Sequence, residues 1–139
     1  MKYFIDTNIF LRYFTDEEYS KVFNDCSNLI KNIKLGKIRA ATSHLILAEI
    51  AWTLPTSYGS SKNQVLKVLK AVETLNGLKI INTFNTSVAN RLYTDYSIKY
   101  IDALIASSPQ IQAKSMAVVS YDKDFDKLGV IRKEPSQII

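Results

Sequence analysis

The chain has 139 residues, and its 18 lysines and arginines against 13 aspartates and glutamates give a net charge of +5. This length predicts one domain, and a composition of 47% apolar and 22% charged residues is typical of soluble globular proteins. The sequence lacks an apolar run of about 18 residues and a leader pattern at its N-terminus, so we expect no membrane helix, no signal peptide and a cytoplasmic location. The single Cys26 excludes an internal disulfide.

The first predicted element is a short strand. Tyr3, Phe4 and Ile5 form a continuous apolar run, which is typical of a strand buried on both faces of a parallel sheet. Asp6 follows directly, at the end of the strand where open α/β sheets bind their ligands. A turn or a helix cap explains Asp6 equally well at this point, because Asp favours both.

The rest of the chain alternates between predicted helices and strands. We expect a short helix or turn over 9–14, then helices from an N-cap at Thr15 to about Gly36, and over 44–54, 62–75, 85–96 and 102–113. Pro55 should end the helix over 44–54, and Pro109 should bend or break the last one. Strands are expected over 38–42, 78–81, 116–119 and 130–131, followed by a loose tail. This alternation predicts an α/β fold with a mostly parallel sheet of four to five strands.

Glu49 lies in an apolar helical segment. Its neighbours three and four positions away include Leu45, Ile46 and Trp52. A carboxylate in such surroundings is costly unless it is paired, hydrogen-bonded or bound to a metal. The alternative is a side chain that reaches the helix edge and meets a lysine or water. Asp102 is a similar case, and its alternative is an N-cap, because a helix is expected to begin there.

Asp122 follows the expected strand 116–119 and repeats the arrangement of Asp6. Two parallel strands that each end in Asp would bring both carboxylates to one edge of the sheet. Clustered carboxylates repel one another, and a hard divalent cation relieves that repulsion. An all-oxygen set without Cys or His favours Mg²⁺ or Mn²⁺, which can activate a water and stabilise charge on a phosphodiester. The net positive charge of the chain would suit a polyanionic substrate, or it could serve only solubility.

The acids at alternate positions from Asp122 to Asp126 suggest a calcium loop, which the sequence excludes. Such a loop needs Gly at its sixth position and Glu at its twelfth, where this chain has Lys127 and Lys133. We therefore expect Asp124 and Asp126 to be exposed to solvent.

Four segments together resemble the motifs of PIN-domain nucleases, and most closely those of the VapC-like toxins of type II toxin–antitoxin pairs. They occur in the family's order and at about its spacing, and they are Ile5–Asn8, Leu47–Ile50, Tyr100–Ala106 and Ser120–Phe125. The resemblance implies a single PIN domain over residues 1–139 with a Rossmann-like, three-layer α/β/α fold. It also implies an endoribonuclease that depends on Mg²⁺ or Mn²⁺.

By position, the resemblance implies catalytic and metal-binding roles for four carboxylates and supporting roles for two polar residues. The carboxylates are Asp6, Glu49, Asp102 and Asp122, and the supporting residues are Asn8 and Ser120. The partners that it implies are an RNA substrate, a small antitoxin that also binds DNA, and a second copy of the chain in a homodimer. Pro109 interrupts a helix that the family usually continues, and Ser120 stands where the family more often has Thr. Neither departure removes a carboxylate.

Three alternatives to an RNA-cleaving toxin were weighed. A housekeeping PIN nuclease in RNA processing would use the same chemistry, and a neighbouring antitoxin gene would separate the two. A phosphatase of the haloacid dehalogenase type needs a second Asp two residues after the first, where this chain has Asn8. A PIN-like RNA- or protein-binding module that has lost catalysis is disfavoured by the four intact acids.

Overall fold

The computed structural model describes residues 1–16 and 20–138. In these residues it has five strands, which are β1 (Lys2–Ile5), β2 (Arg39–Thr42), β3 (Leu78–Ile80), β4 (Met116–Val119) and β5 (Arg132–Lys133). They form one sheet in the order β3-β2-β1-β4-β5, and each pair of neighbouring strands is parallel. The predicted α/β fold with a mostly parallel sheet of four to five strands is therefore confirmed.

Helices connect the strands and cover the sheet. The α-helices of the described residues are α1 (Thr7–Thr15), α2 (Lys21–Lys34), α3 (His44–Tyr58), α4 (Lys62–Glu73), α5 (Thr86–Asp95), α6 (Tyr100–Ala106) and α7 (Pro109–Gln112). Helices α1 to α4 contact one another, and α5 to α7 form a second group. Right-handed crossovers place the two groups on opposite faces of the sheet, which becomes the middle of three layers. None of the described helices has the length and apolar composition that a bilayer crossing requires.

The core is centred on β1 and β4. Phe4 and Ile5 of β1 and Val118 and Val119 of β4 are completely buried, as the apolar run at the start of the chain predicts. Strand β1 pairs with both β2 and β4, so the chain changes direction across the sheet between β1 and β4. Such a change in strand order opens a crevice at the carboxyl ends of the two strands, where α/β proteins bind ligands.

The boundary between α1 and α2 differs from the prediction. Thr15 is the last residue of α1, whereas α2 is capped by Ser20, whose Oγ accepts a hydrogen bond from the backbone N–H of Phe23 at 3.0 Å. Ser and Thr are both good N-caps, so residue type alone could not choose between them. Glu17 and Glu18, expected in the first turn of this helix, lie outside the described residues.

Two proline positions have different outcomes. Pro55 does not end α3, which continues to Tyr58 and ends at Gly59 with a left-handed φ of 66°. Pro55 is exposed and lies in the last turn of the helix, where the loss of the one backbone donor that its ring removes is tolerated. Pro109 does interrupt the chain as predicted, because α6 ends at Ala106 and Pro109 begins α7.

The end of the chain also differs from the prediction. Strand β5 is formed by Arg132 and Lys133 and not by residues 130–131. The guanidinium of Arg132 lies 2.9 Å from Asp126 and 2.8 Å from Glu134, so ion pairs stabilise a strand that the apolar pattern did not mark. The residues after it form a 3₁₀ turn that contacts α2, with Pro135 buried, and are not a loose tail.

Gly77 joins α4 to β3 in a turn that packs on the end of α2. Its φ of +87° is in the left-handed region, and a Cβ at this position would overlap the carbonyl oxygen of Ile33. The preceding Asn76 donates a hydrogen bond from Nδ2 to the carbonyl of Lys34 at 2.9 Å. Only a residue without a side chain combines this conformation with this close approach.

Candidate active site

Asp6 is held rigidly at the carboxyl end of β1. It caps α1, and its Oδ1 accepts a hydrogen bond from the backbone N–H of Thr7 at 2.8 Å. Its Oδ2 accepts one from Ser120 Oγ at 2.7 Å and a longer one from Asn8 Nδ2 at 3.4 Å. Only 4% of the residue is exposed. Asp6 is therefore a helix cap, as the simpler interpretation held, and it also faces the other acids described below.

Ser120 and Asn8 join the ends of β1 and β4. Ser120 is completely buried, and its Oγ accepts hydrogen bonds from Asn8 Nδ2 at 2.9 Å and from the backbone N–H of Asp122 at 3.0 Å. The Oδ1 of Asn8 accepts a hydrogen bond from the backbone N–H of Tyr121 at 3.2 Å. These bonds fix the turn after β4 against the start of α1, so they set where the carboxylates of Asp6 and Asp122 lie.

Asp102 has a buried oxygen with no partner. The residue lies in the first turn of α6, whose N-cap is Lys99, so the N-cap alternative for Asp102 is wrong. It is 3% exposed, and its Oδ2 makes no hydrogen bond among the described residues. An unpaired carboxylate oxygen in a buried position is costly, which indicates that this oxygen needs a cation or a proton.

A cavity of about 180 Å³ brings the four predicted carboxylates together with Asn8. It lies at the crevice beyond β1 and β4, and its lining consists of Asp6, Thr7, Asn8, Leu11, Glu49, Thr53, Lys99, Asp102 and Asp122. Glu49 reaches it from α3 and is half-buried. Ser120 does not line the cavity but bonds directly to Asp6. Lys99 is the one cation in the described lining, and nothing in its sequence context distinguishes it, because exposed lysines are common.

Asp124 belongs to the cluster of acids, although the sequence analysis predicted that it would be exposed to solvent. Carboxylate oxygens of Asp102, Asp122 and Asp124 all lie within 4.8 Å of one another. The backbone N–H of Asp124 donates to Asp122 Oδ1 at 2.9 Å, because Asp122 caps the 3₁₀ helix Lys123–Leu128. This tight helix turns Asp124 back towards the site. Asp126 is exposed as expected and pairs with Arg132.

Burial and mutual repulsion raise the pKa values of two of the acids. Burial raises the pKa of Asp6 to about 6, although its hydrogen bonds from Ser120 and Thr7 act in the opposite direction. Burial raises the pKa of Asp102 to about 7, and the charge of Asp6 adds to this effect. The positive charge of Lys99 lowers the pKa of Asp102. Without a cation the site therefore retains protons near neutral pH.

The residues of this site fit a hard divalent cation. All of its acidic ligand atoms are oxygens, three carboxylates approach one another closely, and Asp102 Oδ2 lacks a partner. Mg²⁺ and Mn²⁺ prefer such oxygen ligands, and a bound cation would offset the repulsion that raises the pKa of Asp102.

Comparisons with solved structures show the same fold in three proteins. VapBC2 of Rickettsia felis, solved bound to a DNA fragment from its promoter, is 26% identical, with a TM-score of 0.67 over 96% of this chain and 98% of that one. DNA-bound VapBC of Salmonella typhimurium is 15% identical, with a TM-score of 0.68 over 97% and 98% of the two chains. VapC20 of Mycobacterium tuberculosis, a toxin that cleaves the sarcin–ricin loop, is 14% identical, with a TM-score of 0.63 over 94% and 97%.

The family is established by sequence. A comparison with curated proteins gives no significant match. The sequence profile of the PIN domain, in contrast, matches residues 3–131, which is most of the chain and includes all four acidic motifs. The resemblance inferred from those motifs is confirmed, and the chain belongs to the PIN domain family.

Proposed function

We propose that the protein is a metal-dependent endoribonuclease and the toxin of a toxin–antitoxin pair, with residues 1–139 as its single PIN domain. The observation that carries the proposal is the unpaired, buried Oδ2 of Asp102 beside three further carboxylates of one crevice. The match to the PIN domain supports a nuclease. The cleavage of the sarcin–ricin loop by the structurally similar VapC20 supports RNA as the substrate.

We assign the cation to the oxygens of four carboxylates, which are Asp6, Glu49, Asp102 and Asp122. Asp124 lies close enough to Asp102 and Asp122 to contribute as well. A bound Mg²⁺ or Mn²⁺ supplies a water of lowered pKa and stabilises negative charge on a phosphodiester. The carboxylates must be ionised to bind it, so the raised pKa values of Asp6 and Asp102 make occupancy depend on pH.

The remaining residues of the site position these ligands and the substrate. Ser120 and Asn8 keep the carboxylate of Asp6 in one orientation through hydrogen bonds of 2.7 and 3.4 Å to its Oδ2. Lys99 provides a positive charge beside the acids, which suits an RNA phosphate that approaches an otherwise negative crevice. Leu11 and Thr53 complete the wall of the crevice.

Cleavage of a mixed RNA pool tests this function. The wild type should cut RNA containing tRNA and rRNA when Mg²⁺ or Mn²⁺ is present and should not cut it in EDTA. Asp102→Asn keeps the size of the side chain but removes its charge, so it should reduce cleavage by at least about 100-fold while circular dichroism shows an intact fold. Asp126→Asn changes an exposed acid outside the crevice and should cleave like the wild type. Wild-type rates in Asp102→Asn would refute the site.

We further propose that the toxin binds a small antitoxin and forms a homodimer. The VapBC structures similar to this chain are toxin–antitoxin complexes, which supports the antitoxin. Helices α3 and α4 also expose apolar side chains that suit protein contacts: Trp52 is 73% exposed and Leu66 is 47% exposed. Light scattering of the purified chain tests the dimer. Co-purification with the product of an adjacent gene, and inhibition of cleavage by that product, test the antitoxin.

A further inference from the structure

A second cavity lies along one face of the sheet and shares no described lining residue with the crevice of the carboxylates. Its volume is about 240 Å³, and its described lining is Lys2, Gly36, Ile38, Arg39, Ala40, Ala41, Gly77, Lys79, Ile81, Gln110 and Met116. Lys2 begins β1, whereas Asp6 follows its end, so these two residues are separated by roughly 13 Å along the strand. This cavity is therefore distinct from the crevice of the carboxylates.

Three neighbouring strands each contribute one positively charged side chain to the lining of this cavity. Lys2 of β1 pairs in register with Arg39 of β2, and Ala41 of β2 pairs with Lys79 of β3. Residues in register, and residues two apart on one strand, lie on the same face of a sheet. Lys2, Arg39 and Lys79 therefore lie on one face of the sheet.

Among the described residues, no ion pair neutralises the positive charge of this cavity. In residues 1–16 and 20–138 the ion pairs involve Arg12, Lys21, Lys127 and Arg132, and none involves the three cations of the cavity. No carboxylate belongs to its described lining. Like charges held near one another are unfavourable unless an anion joins them, so the cavity is suited to a negatively charged ligand.

The other lining residues limit the size and chemistry of that ligand. Ala41 and Met116 are buried and lie on the same face of the sheet as the cations, where they form an apolar floor, and Gln110 adds an amide. The volume is below the range of about 300–1,000 Å³ typical of drug-sized ligands, so the ligand must be small. No aromatic side chain is part of the described lining, so a nucleobase would find no stacking partner.

We propose that this cavity binds the sugar–phosphate unit of a nucleotide and does not read its base. The phosphate contacts Lys2, Arg39 and Lys79, and the sugar rests on the apolar floor. The unit belongs either to a free nucleotide or to RNA, and in the second case the proposal rests on the ribonuclease function. An RNA that occupied both this cavity and the crevice of the carboxylates would be held at a point remote from the cleaved bond. The cavity would bind it whatever its base sequence at that point.

Nuclear magnetic resonance in EDTA tests the ligand class and the place of binding. Ribose 5-phosphate should shift the amide signals of Gly36 and Gly77, inorganic phosphate should shift them less, and ribose should leave them unchanged. Mononucleotides with different bases should bind equally well. Shifts caused by an acidic peptide but not by ribose 5-phosphate would overturn the proposal and indicate a protein partner.

Paired variants test the role of the three cations. Lys2→Gln, Arg39→Gln and Lys79→Gln combined should abolish the ribose 5-phosphate shifts. The control combines Lys67→Gln, Lys70→Gln and Arg91→Gln, which removes the same charge from exposed positions outside the cavity. A third variant carries Lys2→Gln and Arg39→Gln with Lys79→Arg in place of Lys79→Gln. It should recover part of the ribose 5-phosphate binding, because Arg keeps the positive charge.

Fluorescence anisotropy of a labelled single-stranded RNA, also in EDTA, distinguishes RNA from a free nucleotide as the source of the sugar–phosphate unit. If RNA is the ligand, the cavity variant should lose affinity by about tenfold and show a shallower salt dependence than the control. If RNA binds both variants equally but ribose 5-phosphate binds only the control, the ligand is a free nucleotide. Equal behaviour of both variants with every probe would overturn the proposal. Because no assay here needs cleavage, failure of the nuclease function would not affect these results.

Discussion

Asp102 is the residue whose charge depends most on whether a cation occupies the site. It is buried, one of its oxygens lacks a partner, and the charges of Asp6, Asp122 and Glu49 all raise its pKa. In the metal-free protein this carboxylate retains a proton near neutral pH, whereas in an unfolded chain an Asp is ionised there. The free energy of unfolding is thereby linked to pH and to metal.

The metal-free protein should become less stable as pH rises from about 4 to about 7. The folded pKa values of about 6 for Asp6 and about 7 for Asp102 lie above the unfolded value, so the folded state binds more protons in this window and loses stability as they dissociate. Asp102→Asn should flatten this dependence and be more stable at pH 7.5 by an amount on the order of 2–4 kcal/mol. Urea unfolding in EDTA at several pH values measures both effects. An unchanged slope in the variant would contradict the role of Asp102.

Ser120→Ala should weaken both the fold and the proposed activity. It removes a buried hydroxyl that bonds to Asp6 Oδ2, Asn8 Nδ2 and the backbone N–H of Asp122, which should cost about 1–3 kcal/mol of stability. Ser120→Thr keeps the hydroxyl and should retain most of the cleavage. Thermal unfolding and RNA cleavage of both variants check this expectation. Equal cleavage rates in the Ala and Thr variants would show that the hydroxyl does not position Asp6.

At the scale of residues, the sequence was sufficient to identify most of the acids of the site, but it did not show how the chain folds around them. Asp6 and Asp122 could be found because each follows an apolar strand, and Glu49 because its helical neighbours are apolar. Asp124 was missed because its place depends on a tight 3₁₀ turn that residue spacing does not reveal. The catalytic roles of these residues remain predictions.

The turn between α4 and β3 is the element boundary with the strictest steric requirement. Gly77→Ala should lower the free energy of unfolding by more than about 2 kcal/mol, because the added Cβ meets the backbone of Ile33 in addition to the unfavourable φ. Gly36→Ala is the matched control: its φ is +73°, but nothing lies within 4 Å of an added Cβ. It should therefore cost only about 1 kcal/mol. Chemical denaturation of both variants gives the comparison, and equal losses would mean that Ile33 moves away.

At the scale of elements, apolar patterns predicted most strands, and errors arose where another interaction decided the boundary. The run at residues 116–119 gave β4, whereas β5 was displaced because Arg132 is stabilised by ion pairs with Asp126 and Glu134. Helix α3 passes through Pro55, since a missing donor near an exposed helix end is tolerated. A pattern of apolar residues reports neither ion pairs nor the tolerance of a proline near an exposed helix end.

For the whole molecule, metal should act as a stabilising ligand. Mg²⁺ or Mn²⁺ at about 100 times its dissociation constant should raise the free energy of unfolding of the wild type by about 2.7 kcal/mol. Asp102→Asn should lose most of this increase. Glu73→Gln, which alters an exposed acid on α4 away from the crevice, should keep it. Thermal shifts measured with and without metal check the prediction, and an equal increase in all three proteins would place the metal elsewhere.

The bond between Ser120 and Asp6 has a consequence for how the protein is made. Strand β1 is synthesised before β4, but its central position in the sheet requires β4 as a neighbour. The partner of Asp6 is 114 residues away, and Asp122 and Asp124 follow it. A nascent chain that ends before residue 116 therefore has Asp6, Glu49 and Asp102, but it lacks Asp122, Asp124 and the turn that orients them. The proposed ribonuclease would thus acquire its complete acidic site only after β4 and the turn that follows it have been synthesised.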